Sequence, residues 1–129
     1  MKTPLAALTI FALAAPAFAG DAMIEPDAWR EMTSGKTLYY FKEGELYGKE
    51  YYAPNGDVTF RFPSGLCVEG RWAHADGKYC FAFDGDSKLH CFWHVMREDK
   101  IVVIGEADGE EQTVEQIEDG EPMGCGSAI

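Results

Sequence analysis

Two histidines and four cysteines are the side chains of this sequence with the clearest chemical potential. His90 and His94 stand four residues apart in the run His90-Cys91-Phe92-Trp93-His94. Imidazole and thiolate groups are common ligands of zinc and of haem iron. If this run is a strand, however, the two imidazoles lie about 13 Å apart and cannot hold one metal ion together. The spacing therefore argues against a shared metal site and leaves each histidine as a single polar group.

The cysteines favour disulfides over metal or redox chemistry. Cys67, Cys80, Cys91 and Cys125 contain no C-x-x-C pair, so neither a zinc knuckle nor a thioredoxin-type motif is indicated. An even number of cysteines in an exported chain is typical of a disulfide framework. We expect two disulfides and no metal.

The first nineteen residues have the pattern of an export signal. Lys2 supplies a positive charge, Leu5 to Ala15 form an apolar run, and Ala17-Phe18-Ala19 is a small-x-small cleavage site. An uncleaved membrane anchor is the alternative, but Pro16 interrupts the apolar run. The pattern predicts cleavage after Ala19, a periplasmic or secreted protein, and no membrane span after cleavage.

The charge balance excludes several classes of partner. The chain has 11 Lys and Arg against 22 Asp and Glu, a net charge of −11, and loss of Lys2 with the signal leaves −12. A nucleic acid would be repelled, and no basic cluster exists to release its counterions. Binding to an anionic membrane surface through basic residues is excluded in the same way.

No sequence motif indicates catalysis. The chain has no G-x-S-x-G elbow and no H-E-x-x-H pair, and no thiol is free if both disulfides form. The acidic runs 106–111 and 118–121 do not have the spacing of a twelve-residue calcium loop and are interpreted as solvated turns. We expect a non-enzyme without a cofactor.

Beyond Gly35 the sequence has the pattern of an antiparallel sheet, in which short aromatic and β-branched runs alternate with turn residues. We predict an all-β fold, an up-and-down meander of about eight strands that closes into a small β-barrel and so removes its edges. One short helix, Ile24 to Ser34, is expected before the barrel. The predicted strands are Thr37 to Phe41, Leu46 to Ala53, Val58 to Phe62, Leu66 to Ala73, Lys78 to Phe83, Leu89 to Met96, Ile101 to Gly105, and Thr113 to Ile117.

These elements imply an organisation along the chain. We expect a signal peptide over 1–19, an N-terminal helical segment over 20–35, the barrel domain over 36–118, and a C-terminal tail over 119–129. Alternation of side chains assigns the faces of the strands, because residues opposed in a hairpin share a face. The predicted inner-face pairs are Phe60 with Val68, Trp72 with Tyr79 across a loop at 74–77, Phe81 with His90, and His94 with Val103.

The same register places the strand cysteines on the outer wall. Cys80 opposes Cys91 on neighbouring strands, which suits a cross-strand disulfide. By elimination Cys67 pairs with Cys125, so the glycine-rich C-terminal tail is expected to be attached to the outer wall.

The inner face is expected to be rich in aromatic side chains. An eight-stranded barrel is narrow enough to be filled by side chains, so a solid core is the favoured interpretation and a lined cavity is the alternative. Inward histidines are likewise more often hydrogen-bonded core residues than ligand-binding ones. If a ligand site exists, we expect it inside the barrel at His90, His94, Phe92, Tyr79 and Trp72. The aromatic residues predicted to face inward are Tyr40, Tyr47, Tyr51, Phe60, Phe62, Trp72, Tyr79, Phe81, Phe83 and Phe92.

An apolar patch is predicted on the outer wall at Trp93, Val95, Val102 and Ile104, and such a patch needs a cover. The N-terminal helix, through Trp29, is the expected cover. A second subunit is the alternative, so the protein is expected to be a monomer or a weak homodimer.

Several short motifs resemble those of a group of small exported bacterial proteins that has no assigned function. They are Gly70-Arg71-Trp72, Tyr79-Cys80-Phe81, Cys91-Phe92-Trp93, and the segment from Met32 to Leu38. The resemblance covers nearly the whole mature chain but carries no catalytic or binding residues. The predicted meander also resembles lipocalin and streptavidin barrels in topology, which implies a fold and not a function.

Three functions fit these expectations. The leading one is a periplasmic binding or accessory protein whose partner is a small apolar ligand or a protein. The second is an inhibitor of a basic cell-wall hydrolase of the lysozyme type, for which strong negative charge is suitable. The third is a structural subunit of an envelope complex that docks through the Trp93 patch.

The disulfide interpretation predicts a mature protein that begins at Gly20 and has no free thiol. Intact-mass measurement after alkylation without reductant should show the mass of residues 20–129 and no adduct. One or two adducts would contradict the assignment of two disulfides.

Overall fold

The computed structural model of the protein describes residues 20–122 and 124–126. Eight antiparallel strands close into a barrel, with one additional short strand and one short helix. The predicted all-β barrel with a short N-terminal helix is therefore confirmed. The predicted signal, residues 1–19, lies outside the described residues, as do 123 and 127–129 of the predicted tail. Within the described ranges no helix is both long and apolar enough to cross a membrane.

The barrel is a simple ring in chain order. Each strand from β2 to β9 pairs with the next, and β2 pairs with β9 to close the ring. The short strand β1 pairs with β7, beyond the part of β7 that pairs with β6. The elements are β1 (Ala22–Met23), α1 (Pro26–Thr33), β2 (Lys36–Lys42), β3 (Glu45–Tyr52), β4 (Asp57–Arg61), β5 (Cys67–Ala75), β6 (Lys78–Phe83), β7 (Leu89–Arg97), β8 (Lys100–Gly105) and β9 (Glu111–Asp119).

The hairpin register agrees with the predicted pairs except at one turn. Trp72 pairs with Phe81 and not with Tyr79, which pairs with His74. The reason is the turn itself: Asp76 and Gly77 have φ values of 53° and 78°, the left-handed pair of a two-residue hairpin turn. The predicted four-residue loop was therefore two residues too long. Because the resulting shift is an even number of residues, every side chain keeps its predicted face.

A bulge in β3 changes one predicted facing. Opposite β2 the register slips so that Tyr40 pairs with Gly48 but Phe41 pairs with Leu46, leaving Tyr47 as the extra residue. Beyond the bulge the alternation is inverted, and Tyr52 joins the main core. Tyr51 was predicted to point inward and instead faces the outer wall, where it pairs with Thr59.

The helix closes one end of the barrel. The indole of Trp29 has no exposed surface, and its ring centroid lies 5.6 Å from that of Tyr52, 5.7 Å from Tyr79 and 4.4 Å from His94. Pro26 stands at the start of the helix, and Gly35, with φ of 74°, follows its end. The helix therefore acts as a plug at this end of the barrel.

The sequence had suggested that the helix covers the outer patch. The structure shows that it does not. Val95, Val102 and Ile104 are at most 3% exposed and form a small cluster with Trp93, separate from the main core. Since Trp29 packs inside the barrel, it belongs to the main core and not to this cluster.

Two disulfides crosslink the barrel wall, and an ion pair attaches the N-terminal segment to it. Cys80 is bonded to Cys91, and Cys67 is bonded to Cys125, which confirms both predicted pairings. The guanidinium of Arg97 donates to both carboxylate oxygens of Asp21, each at 2.9 Å, and so attaches the N-terminal segment next to β1.

Because Trp29 fills the closed end of the barrel, Trp29→Ala should lower the free energy of unfolding by about 3 to 5 kcal/mol. Leu89→Ala is the matched control, since the side chain of Leu89 is 62% exposed; it should change stability by no more than about 0.5 kcal/mol. Urea unfolding followed by circular dichroism measures both. Similar stability of the two variants would show that the helix is not a plug.

Candidate functional site

The half of the barrel away from the helix is hollow. It contains a cavity of about 490 Å³. Leu66, Asp84 and Gly85 line it and are exposed, so the cavity opens to solvent at this end. The favoured expectation of a solid interior therefore holds only for the helix end. The cavity is lined by Tyr40, Tyr47, Glu50, Phe60, Phe62, Leu66, Val68, Phe81, Phe83, Asp84, Gly85, Asp86, His90, Phe92, His94, Val103 and Gln112.

His94 lies at the deep end of the cavity, between the aromatic plug and the open space. It is 1% exposed, and its ring centroid is 4.3 Å from that of Tyr79 and 4.4 Å from that of Trp29. Neither ring nitrogen has a hydrogen-bond partner among the described residues. The expectation of a hydrogen-bonded core histidine is therefore wrong for this residue.

The surroundings of His94 keep it neutral. Burial lowers its pKa to about 3, a polar interaction with the Trp93 backbone acts in the opposite direction, and the charge of His74 lowers the pKa further. A neutral imidazole has one donor and one acceptor nitrogen. The acceptor nitrogen has no hydrogen-bond partner among the described residues.

Glu50 is the second polar group in the cavity wall, and the sequence analysis missed it. It is 3% exposed, and its Oε1 accepts a hydrogen bond of 2.8 Å from the hydroxyl of Tyr52 and a longer one of 3.2 Å from that of Tyr40. The two hydroxyls are 2.6 Å apart. Burial raises the pKa of Glu50 to about 7, although both tyrosine hydrogen bonds act in the opposite direction.

The bulge in β3 explains why Glu50 was missed. Strict alternation from Tyr47 assigns Tyr51 to the inner face and Glu50 to the outer one. The available signal was Gly48, because a glycine inside a strand often marks a bulge or a close approach. A Cβ at this position would stand 2.3 Å from the ring of Phe60, so the glycine allows that ring to lie against the strand.

The mouth of the cavity carries a third polar group. The Nε2 of His90 lies 2.7 Å from the Oδ2 of Asp86, and the backbone N–H of Lys88 donates to Oδ1 of the same carboxylate at 2.8 Å. The hydrogen bond from His90, followed by that from Lys88, lowers the pKa of Asp86. His90 therefore belongs to the rim and His94 to the floor of one cavity.

The five predicted ligand-site residues divide between the two halves of the barrel. His90, Phe92 and His94 line the cavity together. Tyr79 and Trp72 lie in the closed half, where Tyr79 donates a hydrogen bond of 2.7 Å to the carbonyl of Ile24 and Trp72 lies beneath the guanidinium of Arg30. They support the floor of the cavity and do not line it.

The arrangement suits binding of an apolar molecule with a polar end. Aromatic walls provide contact area, and Glu50 and His94 provide directional groups at the floor. No group of three potential metal-binding side chains occurs within residues 20–122 and 124–126. Comparison with protein-family models, with curated proteins and with solved structures found no match to the chain.

The two buried titratable groups should give opposite pH dependences of stability. The folded state raises the pKa of Glu50 from 4.5 to about 7, so its contribution is complete at low pH and is lost as pH rises to about 7. It lowers the pKa of His94 from 6.5 to about 3, so that contribution is complete above pH 6.5 and is lost as pH falls to about 3. Between about pH 4.5 and 6.5 the two slopes oppose each other in the wild type.

Single variants should reveal each slope. Relative to Glu50→Gln, the wild type should lose about 3 kcal/mol of unfolding free energy between about pH 4 and pH 8. Relative to His94→Phe, it should lose about 4 kcal/mol as pH falls from about 7 to about 3. Urea unfolding across this pH range measures both differences. Curves that run parallel for wild type and variants would contradict the assigned burial of these groups.

Proposed function

We propose that the protein is a non-enzymatic binding protein that acts in the periplasm or outside the cell and holds a small apolar molecule inside its barrel. The observation that carries this proposal is the aromatic cavity of about 490 Å³, which opens to solvent at the end away from the helix. This volume falls within the range of roughly 300 to 1,000 Å³ that is usual for small-molecule sites.

The construction of the wall supports binding in a preformed site. A closed ring of eight strands has no free edge within it, and two disulfides link the wall to itself and to the C-terminal tail. The helix plug occupies the opposite end, so a ligand has one route of entry. Because such a cavity is already formed, the protein loses little conformational entropy when a ligand binds.

The lining of the cavity supports binding over catalysis. Its described residues include no serine, threonine, cysteine or lysine that could act as a nucleophile. His94 and Glu50 each face aromatic neighbours, and no hydrogen bond joins them in the part of the chain that the structure describes. Glu50 and His94 therefore do not form an acid–base pair at the floor, and the one His–Asp pair of the described lining, His90 with Asp86, lies at the mouth.

Binding can be tested with N-phenyl-1-naphthylamine, an apolar dye that is uncharged at neutral pH and fluoresces strongly in apolar surroundings. The wild type should bind it at one site. Val68→Trp, which fills part of the cavity, should weaken binding about tenfold or more, since a bulky side chain would exclude the dye. Leu89→Trp places the same side chain on the exposed outer face and should leave the affinity unchanged.

The measurement is a fluorescence titration of the three proteins, with thermal unfolding as a check that each is folded. Absence of dye binding to the folded wild type would contradict the proposed function. Equal binding by Val68→Trp and the wild type would place the dye outside the barrel and would contradict it as well.

A further inference from the structure

The described lining of the cavity contains carboxyl groups but no lysine or arginine. These carboxyl groups belong to Glu50, Asp84 and Asp86. Glu50 is the one carboxyl group of the lining that is almost fully buried. We infer that the natural ligand is a small organic cation, an amine with an aromatic or aliphatic body, whose ammonium group binds at Glu50. This inference rests on the proposed function and specifies the class of its ligand.

The buried position of Glu50 makes its ionised form costly. An ionised carboxyl group removed from water is strongly disfavoured unless it is paired with a cation and hydrogen-bonded. The hydroxyls of Tyr40 and Tyr52 provide hydrogen bonds to Glu50 but no positive charge. An ammonium group supplies both the missing charge and further donors. A cation would therefore complete the site whenever Glu50 is ionised.

The walls next to Glu50 favour the same ligand. Tyr40 and Phe60 have ring centroids 5.8 Å apart and both line the cavity, as do Phe81 and Tyr47. Cations are attracted to the faces of aromatic rings, most strongly where water is excluded. The apolar part of an amine can contact the remaining aromatic rings on the way to the mouth. A neutral ligand would use these walls but would leave Glu50 without a counter-charge.

His94 is compatible with a cation and adds to its recognition. Because it stays neutral, it does not repel an ammonium group, and its acceptor nitrogen is without a partner among the described residues. An ammonium group has three donors, and Glu50 does not need all of them. A ligand with a carboxylate end would instead meet Glu50 and would find no basic side chain at the floor.

Lys42, a basic residue that lies over the lining residue Tyr47, is already engaged. The ammonium of Lys42 lies 4.6 Å from the ring centroid of Tyr47 and 3.4 Å from a carboxylate oxygen of Glu110. Lys42 is not part of the cavity lining. The net charge of −11 also raises the local concentration of small cations around the protein and favours their entry.

The test compares three probes that share one apolar body: 2-phenylethylamine, 2-phenylethanol and phenylacetate, which end in an ammonium, a hydroxyl and a carboxylate. Isothermal titration calorimetry at about pH 8 should give an affinity for the amine that is about tenfold or more above that for the alcohol. The carboxylate should bind most weakly. The amine should also displace N-phenyl-1-naphthylamine from the cavity.

A variant and a matched control assign the effect to one carboxyl group. Glu50→Gln retains an oxygen that can accept from both tyrosines, so the barrel should remain folded, and the preference for the amine over the alcohol should disappear. Glu45→Gln, an exposed position on the same strand, should retain the preference.

The pH dependence provides a second test that needs no variant. Affinity for the amine should fall about tenfold per pH unit as Glu50 takes up a proton below about pH 7, whereas affinity for the alcohol should not. The titratable groups around Glu50 come from several elements. They are Tyr40 on β2, Tyr47 and Tyr52 on β3, His90 and His94 on β7, and Asp84 and Asp86 at the mouth. From β4 the neighbouring residue is Phe60, which does not titrate. A pH dependence that arises from another group of the lining would be the same in Glu50→Gln as in the wild type and would overturn the inference.

The outcomes separate this inference from the proposed function. Three outcomes would overturn the inference: equal affinity for the amine and the alcohol, a preference for the carboxylate, or an amine preference that survives Glu50→Gln. In each case dye binding would still support the cavity as a site. Failure of all three probes to bind a protein that binds the dye would overturn the inference as well. If the dye also fails to bind, the proposed function itself is wrong.

Discussion

The position of the Trp29 indole is the contact on which the rest of the barrel depends. A ring of eight strands has two ends, and a polar helix of eight residues can close one of them only by inserting a large apolar side chain. Trp29 does so with no exposed surface. It fills the space between Tyr52 and Tyr79 and removes water from the edge of His94. The depth of the cavity, its single entrance and the neutrality of His94 all follow from this insertion.

The barrel is packed unequally, and this inequality gives the molecule its functional potential. At the helix end, rings from the wall and the plug meet at centroid distances below 6 Å. At the other end the aromatic side chains line a cavity of about 490 Å³, and the buried polar groups Glu50 and His94 lie where the packed and hollow halves meet. Burying such groups lowers stability unless their polar contacts are completed, and the proposed ligand would complete them.

Much of the fold could be predicted from local pattern. The alternation of side chains assigns Phe60, Phe81 and His90 to the same inner face in successive hairpins. The pairing of Cys80 with Cys91 on the outer face follows from the same register. The errors arose where backbone conformation departs from that of an ordinary strand or loop. The Asp76-Gly77 turn shortened one loop by two residues without moving a face, whereas the single extra residue at Tyr47 inverted the facing of Tyr51 and concealed Glu50. An even slip preserves the side-chain period of two and an odd one inverts it.

The sequence by itself determined the all-β class, the order of the strands, both disulfide pairings and the inward position of His90 and His94, because each of these depends on spacing along the chain and on the period of a strand. Only the tertiary structure decided that the helix enters the barrel, that half of the interior is hollow, and that Glu50 shares a cavity with His94. These features depend on volumes and on contacts between residues far apart in sequence, such as Trp29 with His94 and Glu50 with Tyr40. Neither quantity is encoded in a local pattern, since the same aromatic residues can fill a barrel or line it.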